Sequence, residues 1–445
     1  MIPQLQREAP VSSPASAAQW SLIKRIAFRF VLVYYLLYIG PGPVGSLGTY
    51  KSIKGLDVNI WSVLWHQVVP WVGTNILHLN ANALSEVPNG SGDELYDYVL
   101  ILCLIVAAAF GTVIWSWLDR KRTNYQTLYQ WLRLLMRMTV GWSMLGYGVK
   151  KLLWAQFPAP SLARLVEPFG QASPMGLLWT FMGASPLYNF FGGLGEMAGG
   201  VLIVLPGLTA LGSLICLAMT TNVLMLNLGY DVPRKIFTIH LILMCLFLLI
   251  PEVRRLANVF IFNRRADPVP EVPLFSDKLT NRAAAALPIV FGALVLFVAG
   301  RQSYLDAKGF NVFLPPSIRG VWLVDGFVVD GTPHPPLLTD SNRWKNVIFD
   351  ATNIFTVQSM DGQQNDYLMQ IDPSGKRLRL QGAQNPQWRA TLAMESVQPD
   401  RIVLEGQFGN EHVIATLDRS DLTDPQKFPL LNRGLHWVNP YLNNR

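Results

Sequence analysis

The sequence predicts a polytopic α-helical membrane bundle of about seven transmembrane helices, followed by a C-terminal antiparallel β-barrel-like domain. One observation is composition: 51% of the 445 residues are hydrophobic and 15% are charged, whereas soluble domains carry about 25% charged residues. The other is a change in the residue pattern near residue 301, where long apolar stretches are followed by short segments of alternating apolar and polar residues. Long apolar runs are typical of membrane helices, and short alternation is typical of half-buried strands.

Seven stretches are long and apolar enough to cross a hydrocarbon core of ~30 Å, which takes roughly 20 helical residues. They are residues 22–39, 98–118, 134–155, 187–205, 208–228, 235–250 and 284–299. Basic residues cluster at the start of the first stretch, between the second and third, and between the sixth and seventh. Since Lys and Arg accumulate in cytoplasmic loops, the N-terminus is expected in the cytoplasm and the C-terminal domain outside. We therefore expect a multi-pass protein of the cytoplasmic (inner) membrane.

These signals divide the chain into five expected parts. They are a disordered cytoplasmic N-terminus (1–20), a transmembrane pair with a long outer loop (21–130), a four-helix core (131–260), a cytoplasmic linker with the last transmembrane helix (261–300) and an extracytoplasmic β domain (301–445). Within the long outer loop, the amphipathic stretch 60–72 is expected to lie on the membrane or to cap the bundle.

The β domain is predicted from eight short alternating segments separated by turn signals such as Asp330-Gly331 and Gly409-Asn410. Eight strands at this spacing indicate a small antiparallel barrel or sandwich. The tripeptide Gly320-Val321-Trp322 resembles the Gly-x-Trp of lipocalin-type barrels. The predicted strands are residues 321–329, 346–348, 354–358, 367–371, 378–380, 390–394, 402–405 and 413–417.

Charge and cysteine content exclude several function classes. The net charge of +7 arises in the apolar part of the chain, where it indicates topology, so no nucleic-acid partner is expected. Cys103, Cys216 and Cys245 each lie in an apolar run, which argues against a disulfide framework or a thiolate metal site. The histidines show no metal-ligand spacing, and no metal is predicted.

Several costly polar side chains lie inside the predicted spans. A charge in hydrocarbon costs at least ~2.5–3.5 kcal/mol, so such residues are functional candidates by default. At ~1.5 Å per residue, four of them fall about 9–15 Å inside the outer ends of their helices. This common depth predicts a buried polar site that opens to the outer face. The candidates are Tyr147, Lys150, Lys151, Glu196, Asn222 and His240, with Tyr230, Asp231, Arg234 and Lys235 as a rim.

Structural alternatives exist for the two lysines, Glu196, His240 and Asn222. Lys150 and Lys151 could extend their ammonium groups to the headgroups. Glu196 could form a purely structural ion pair with Lys150, and His240 could bond a neighbouring helix. Asn222 is the kind of residue that joins helices, and Gly192, Gly193, Gly195, Gly199 and Gly200 are expected to allow close helix packing.

Three short features within residues 133–256 resemble those of the DoxX family of four-helix membrane proteins. In that family a Gly-x-x-Lys-Leu element ends the first core helix, and a Glu-x-x-Gly-Gly element lies in the second. By register, Lys151 matches the family lysine and Lys150 is its neighbour. The ending 433–439 is similar to that of a longer branch with an added N-terminal hairpin and a C-terminal β domain. The motifs here are Arg133 and Arg137, Gly146-Tyr147-Gly148-Val149-Lys150-Lys151-Leu152, and Gly195-Glu196-Met197-Ala198-Gly199-Gly200-Val201-Leu202.

The resemblance implies a quinone-linked site. One family member is the small subunit of a thiosulfate:quinone oxidoreductase, and others associate with oxidative-stress proteins. A more distant similarity runs to the membrane domain of vitamin K-dependent carboxylases, which use a quinol with an intramembrane lysine. On this interpretation the lysines, Tyr147 and His240 would donate hydrogen bonds to an isoprenoid quinone, and Glu196 would carry protons. No flavin, haem or iron–sulfur ligand set is visible, so no covalently bound cofactor is expected and a redox protein partner would supply electrons.

A second function stays open beside this one. The chain could be a non-enzymatic membrane scaffold or a lipid or small-ligand binder whose β domain recognises a partner, in the periplasm or at the cell surface. A transporter is less favoured, because no inverted repeat is visible. Whether the chain is a subunit of a quinone-dependent oxidoreductase or no enzyme at all is thus left open.

Overall fold

A computed structural model describes residues 19–40, 60–84, 92–268, 274–275, 277–310, 317–350, 353–383, 385–432 and 434. Most of the expected N-terminal segment and of the ending at 433–439 therefore lies outside the described residues. The chain forms two compact units. The first comprises Met1–Trp142, Leu202–Asn227 and Pro233–Phe291, and the second comprises Ser143–Val201, Leu228–Val232 and Gly292–Arg445.

Most of the described chain up to residue 310 is helical. Within the described residues, five helical segments are long and apolar enough to cross a membrane: Leu95–Leu118, Pro186–Val204, Thr209–Gly229, Lys235–Phe260 and Lys278–Asp306. This confirms a helical membrane part. The helices are α1 Leu22–Ile39, α2 Ile60–Asn75, α3 Leu95–Leu118, α4 Gln126–Leu152, α5 Leu162–Val166, α6 Pro174–Ala184, α7 Pro186–Val204, α8 Thr209–Gly229, α9 Lys235–Leu249, α10 Val253–Phe260, α11 Lys278–Phe310 and α12 Pro429–Asn432.

The predicted spans at α1 and α4 are helical, but neither is among those five segments. In the first unit, Arg29 of α1 is 2% exposed. Its guanidinium donates to the hydroxyl of Tyr125 at 2.6 Å, to Ser116 Oγ at 2.8 Å and to the carbonyl of Asp119 at 2.8 Å. Internal partners compensate the cost of burying this charge. The predicted amphipathic stretch forms α2, whose Val69 is buried against α3.

The C-terminal domain is a closed antiparallel barrel of eight strands, as the alternation pattern predicted. Successive strands pair from β3 to β9, β1 pairs with β3, and β1 also pairs with β9, which closes the barrel. The short β2 pairs with the end of β1 alone. The strands are β1 Gly320–Val329, β2 Thr332–Pro333, β3 Trp344–Phe349, β4 Ile354–Ser359, β5 Gln364–Ile371, β6 Arg377–Gly382, β7 Arg389–Gln398, β8 Arg401–Phe408 and β9 Glu411–Arg419.

Large side chains fill the barrel. Trp322, Trp344 and Phe355 are at most 4% exposed and belong to one apolar core cluster. Trp322, from the tripeptide singled out above, donates its indole N–H to the carbonyl of Ile318 at 2.8 Å. The guanidinium of Arg419 lies 5.7 Å from the Trp322 ring centroid. The interior of the barrel is therefore a packed core. The likeness to lipocalin-type barrels rests on the tripeptide Gly320-Val321-Trp322.

The segment that follows α4 packs on the barrel within the second unit. Leu162 at the start of α5 is buried in a cluster with Val321 and Ile348. Its backbone N–H donates to Asp350 Oδ2 at 2.7 Å. Gln364 Nε2 donates to the carbonyl of α5 residue 163 at 2.9 Å. The short α5 therefore belongs structurally to the barrel surface.

Candidate functional site

Lys151 and Glu196 form a buried ion pair in the second unit. Lys151 lies in the last turn of α4, and Glu196 lies in the middle of α7. The ammonium nitrogen Nζ donates to both carboxylate oxygens at 2.6 Å. Only 6% of Lys151 and 3% of Glu196 are exposed. Each charge compensates the burial of the other, and either one alone would be costly at this position.

Glycine residues let α4 and α7 approach closely enough for this pair. A Cβ added at Gly193, one turn before Glu196, would lie 2.9 Å from the Cβ of Lys151. One added at Gly148, one turn before Lys151, would lie 2.9 Å from the carbonyl oxygen of Gly193. Small residues are what bring membrane helices into backbone contact. The predicted packing role is confirmed for Gly193, and for Gly200, where a Cβ would lie 2.9 Å from a leucine side chain of α4.

Aromatic rings flank the ammonium group. The ring centroids of Tyr147 and Phe157 each lie 5.9 Å from Lys151 Nζ, within the range of a cation–π interaction. Phe157 is buried and packs edge-to-face against Trp179, with centroids 5.0 Å apart. Lys150 is half-buried, and its Nζ lies 5.8 Å from the Tyr147 centroid. The partner of Glu196 is therefore Lys151, and not Lys150 as in the structural alternative considered above.

Two amide oxygens in this region are buried acceptors that lack a hydrogen bond among the described residues. They are Oδ1 of Asn189 and Oε1 of Gln156. Asn189 is 1% exposed, and its Nδ2 donates to the carbonyl of Phe157 at 3.3 Å, which orients the amide. An unsatisfied buried acceptor costs about 1–3 kcal/mol, so both oxygens can take a donor from a ligand or from water.

Sequence reasoning missed Asn189. It precedes Glu196 by seven residues on α7, and a spacing of seven places two residues on the same helix face. That spacing is the signal that could have identified it.

His240 lies in the first unit, where tyrosines of α1 surround it. Its Nε2 is 2.6 Å from the hydroxyl of Tyr34, and its Nδ1 is 2.7 Å from the carbonyl of Ile236. A carbonyl only accepts, so we assign the ring hydrogen to Nδ1, and Nε2 accepts from Tyr34. The Tyr38 ring stacks on the imidazole at a centroid distance of 3.9 Å. His240 thus bonds a neighbouring helix, and its tyrosine partners were missed although their spacing of four is a helix-face signal.

The structure gives the other predicted residues different environments. Asn222 is exposed on α8, whereas Asn227 is buried and donates to Thr238 Oγ1 at 3.3 Å. Within the expected rim, Tyr230 is half-buried and Asp231 is exposed, and both belong to the second unit; Arg234 and Lys235 are half-buried and belong to the first unit.

Asp93 is a further residue that sequence reasoning missed. Its two carboxylate oxygens accept from the backbone N–H groups of Lys235 at 2.6 Å and Ile236 at 2.9 Å. An acidic side chain at a helix N-terminus satisfies free N–H groups and complements the helix dipole. Asp93 therefore fixes the start of α9.

Cysteine and metal chemistry have no visible site in the described part of the chain. Cys103, Cys216 and Cys245 are buried and unbridged. Among the described residues, no three His, Cys, Asp or Glu side chains lie close enough to hold a metal ion.

Comparison with known proteins gives one similarity. The chain is 28% identical over 135 residues to the uncharacterized protein YwoB of Bacillus subtilis (strain 168), a match that covers 30% of this chain and 82% of that protein. No protein-family model matches the chain. No solved structure matches it either.

Proposed function

We propose that the chain is a DoxX-like integral membrane redox module that binds an isoprenoid quinone beside Lys151 and Glu196. The observation that supports this proposal is the coincidence of a buried ion pair with buried amide oxygens that have no donor among the described residues. A quinone needs an apolar site, donors for its carbonyl oxygens and groups that exchange protons. Perturbed or buried ionisable groups inside a membrane protein are the default place to look for such chemistry.

Membrane topology is the first part of the proposal. We propose seven crossings, by α1, α3, α4, α7, α8, α9 and α11, with the N-terminus in the cytoplasm and the barrel on the periplasmic or extracellular side of the inner membrane. The charges on α1 and α4 are compatible with spanning, because Arg29 has internal partners and Lys151 has Glu196. The basic loops that orient the chain obey the positive-inside rule under this arrangement.

Each polar group has a role at the site. An ammonium group has three N–H donors, and Lys151 uses two of them on Glu196. The third would donate to a quinone carbonyl oxygen. Asn189 Oδ1 would accept from the hydroxyl of the reduced form, and Glu196 with Lys151 would exchange protons with the bound ring. Tyr147 and Phe157 would pack against that ring, and Lys150 would stay beside Tyr147.

Electron transfer requires a second protein on this proposal. Reduction of a quinone to a quinol takes up two electrons and two protons, and Lys151 with Glu196 would handle the protons. We propose a redox protein partner as the electron source. Two motifs that resemble those of the DoxX family support the site, because they lie on helices in direct contact. These motifs are Gly148 to Leu152 and Glu196 to Gly200.

Copurification tests the proposal. Full-length protein purified in mild detergent should retain extractable quinone, and Lys151→Ala and Glu196→Gln should each lose most of it. Lys150→Ala separates the two candidate lysines, and the proposal expects it to keep its quinone. Lys278→Ala controls for loss of a positive charge elsewhere. Wild-type protein without quinone, or equal losses in all four variants, would contradict the proposal.

A membrane scaffold is the second candidate. The observation that favours it is the bidentate geometry of the ion pair, since a buried ion pair can serve to specify helix packing. On this alternative the barrel recognises a protein partner, and variants of Lys151 or Glu196 lose stability or partner binding while quinone content is zero in every sample.

A further inference from the structure

A cavity of about 680 Å³ lies at one end of the helices of the first unit. It is bounded by the first turns of α4, α8 and α11 and by the segments that follow α7 and α9. Because α7, α8, α9 and α11 have the length and apolarity of membrane spans, their ends at this cavity would lie at the level of the lipid headgroups. The volume falls in the range of ~300–1,000 Å³ that is usual for small-ligand sites.

Among the described lining residues, three carry guanidinium groups, and two of these groups are fixed by helix ends. Arg133 Nη1 donates to the carbonyl of Leu248, near the end of α9, at 2.9 Å. Arg137 Nε donates to the carbonyl of Ile203, near the end of α7, at 3.1 Å. A guanidinium has five N–H donors, so capping one helix end does not exhaust the donors of Arg133. The bonds to backbone hold both side chains at the cavity wall.

The third guanidinium is that of Arg255, and the described lining residues include a single acidic side chain, that of Glu252. These two form an exposed ion pair at 3.4 Å. The cavity therefore has an excess of positive charge, together with the neutral polar groups of Gln126, Gln130 and Asn281. Planar guanidinium groups bind phosphate oxygens through paired hydrogen bonds, which makes arginine the preferred residue for phosphate groups.

We propose that this cavity binds the phosphate group of an anionic phospholipid. Basic pockets between membrane helices at headgroup level bind such lipids, and the apolar side chains of Leu134 and Ala284 at the wall suit the glycerol and first acyl carbons. Arg133 and Arg255 hold the phosphate, and Arg137, which donates to the carbonyl groups after α7, adds positive charge at the wall. This site is independent of the quinone proposal, since it uses none of the same residues.

Lipid retention by native mass spectrometry tests the site. Full-length protein is delipidated in detergent and titrated with phosphatidylglycerol, with phosphatidylcholine and, separately, with phosphatidylglycerol in the presence of inorganic phosphate. We expect phosphatidylglycerol to bind about tenfold more tightly than phosphatidylcholine, because phosphatidylcholine carries the same phosphodiester together with a cationic choline that the arginine residues repel. Arg133→Gln and Arg255→Gln should each weaken it severalfold. Arg254→Gln, the exposed neighbour that does not line the cavity, should leave it unchanged.

The titrations distinguish a lipid phosphate group from free inorganic phosphate as the ligand of the cavity. Competition by millimolar inorganic phosphate with a retained lipid preference supports the site and its phosphate chemistry. Binding of inorganic phosphate with no preference between the lipids overturns the lipid assignment. Equal affinity for both lipids without any phosphate effect, or equal losses in Arg254→Gln and Arg255→Gln, overturns the site. If Arg133→Gln fails to fold because α9 loses its cap, the exposed Arg255→Gln decides the outcome.

Discussion

The backbone N–H of Leu162 donates to the carboxylate of Asp350 across 2.7 Å, and this bond ties the segment after α4 to the barrel. The segment begins beside the buried ion pair, since the ring of Phe157 lies 5.9 Å from Lys151 Nζ. A continuous stretch of only a few residues, from Phe157 to Leu162, therefore connects the charged pair with the barrel surface.

Leu162→Ala should loosen α5 from the barrel. Leu162 is 2% exposed in a cluster with Val321 and Ile348, and a buried Leu→Ala change costs about 2–5 kcal/mol of packing. We expect faster amide hydrogen exchange in residues 160–171 of the full-length protein, while the barrel strands keep their protection. Phe169→Ala, at a position that is 79% exposed, is the matched control. Unchanged exchange in Leu162→Ala, or the same change in both variants, would show that the packing of α5 is not what orders this segment.

Gly193→Ala should separate Lys151 from Glu196. The added Cβ would lie 2.9 Å from the Lys151 Cβ and 3.0 Å from the carbonyl oxygen of Gly148, so α4 and α7 must move apart. Overpacking of this kind costs about 1–3 kcal/mol, and we expect a lower thermal midpoint in detergent together with loss of copurifying quinone. Gly146→Ala is the control on α4, because a Cβ added at Gly146 would have no described neighbour within 4 Å. A Gly193→Ala protein as stable as Gly146→Ala would refute the close approach.

The barrel could be predicted almost completely from the sequence, whereas the membrane part could be predicted only in outline. All eight predicted strands are present because an alternating strand has one inward and one outward face, a pattern that a single sequence displays. Helix spans such as α3 and α9 are visible as apolar runs. The charged helices α1 and α4 are harder to assign from hydropathy, since the partners that compensate Arg29 and Lys151 come from distant residues.

The candidate site was predictable only in part for the same reason. Glu196 and Lys151 stood out because charges in apolar runs are rare, but sequence alone did not show which of two adjacent lysines faces the acid. That choice depends on how α4 and α7 pack, which Gly148 and Gly193 determine. Asn189 was missed because an asparagine in an apolar helix has many ordinary explanations, and its orientation depends on a carbonyl group 32 residues away in the chain.

Replacing the ion pair with two apolar residues separates folding from function. Lys151→Met or Glu196→Leu alone leaves one buried charge, which costs about 3–5 kcal/mol, whereas replacing both partners is often neutral or stabilising. We therefore expect both single variants to show lowered thermal midpoints and the double variant to recover most of the loss. On the quinone proposal the stable double variant carries no quinone. Recovery of partner binding by the double variant, with no quinone in any sample including wild type, would instead favour the scaffold.

Barrel stability should depend on pH through Asp340 and His334. The imidazole Nδ1 of His334 lies 2.8 Å from Asp340 Oδ2, and this hydrogen bond holds the pKa of Asp340 below its usual range, aided by the backbone N–H groups of Asn342 and Arg343. A carboxyl whose folded pKa is depressed contributes stability above its unfolded pKa of about 3.9, and the contribution is lost as pH falls through the folded value. Thermal melts of the full-length protein in detergent, followed by tryptophan fluorescence from pH 6 down to about pH 3, should show that loss in wild type and a flatter profile in Asp340→Asn.

His334→Ala should shift this loss of stability to higher pH, because Asp340 loses its first partner. Glu411→Gln, at an exposed position on β9, controls for general loss of negative charge. If the pH profile of Asp340→Asn is identical to that of wild type, this pair does not stabilise the loop before β3.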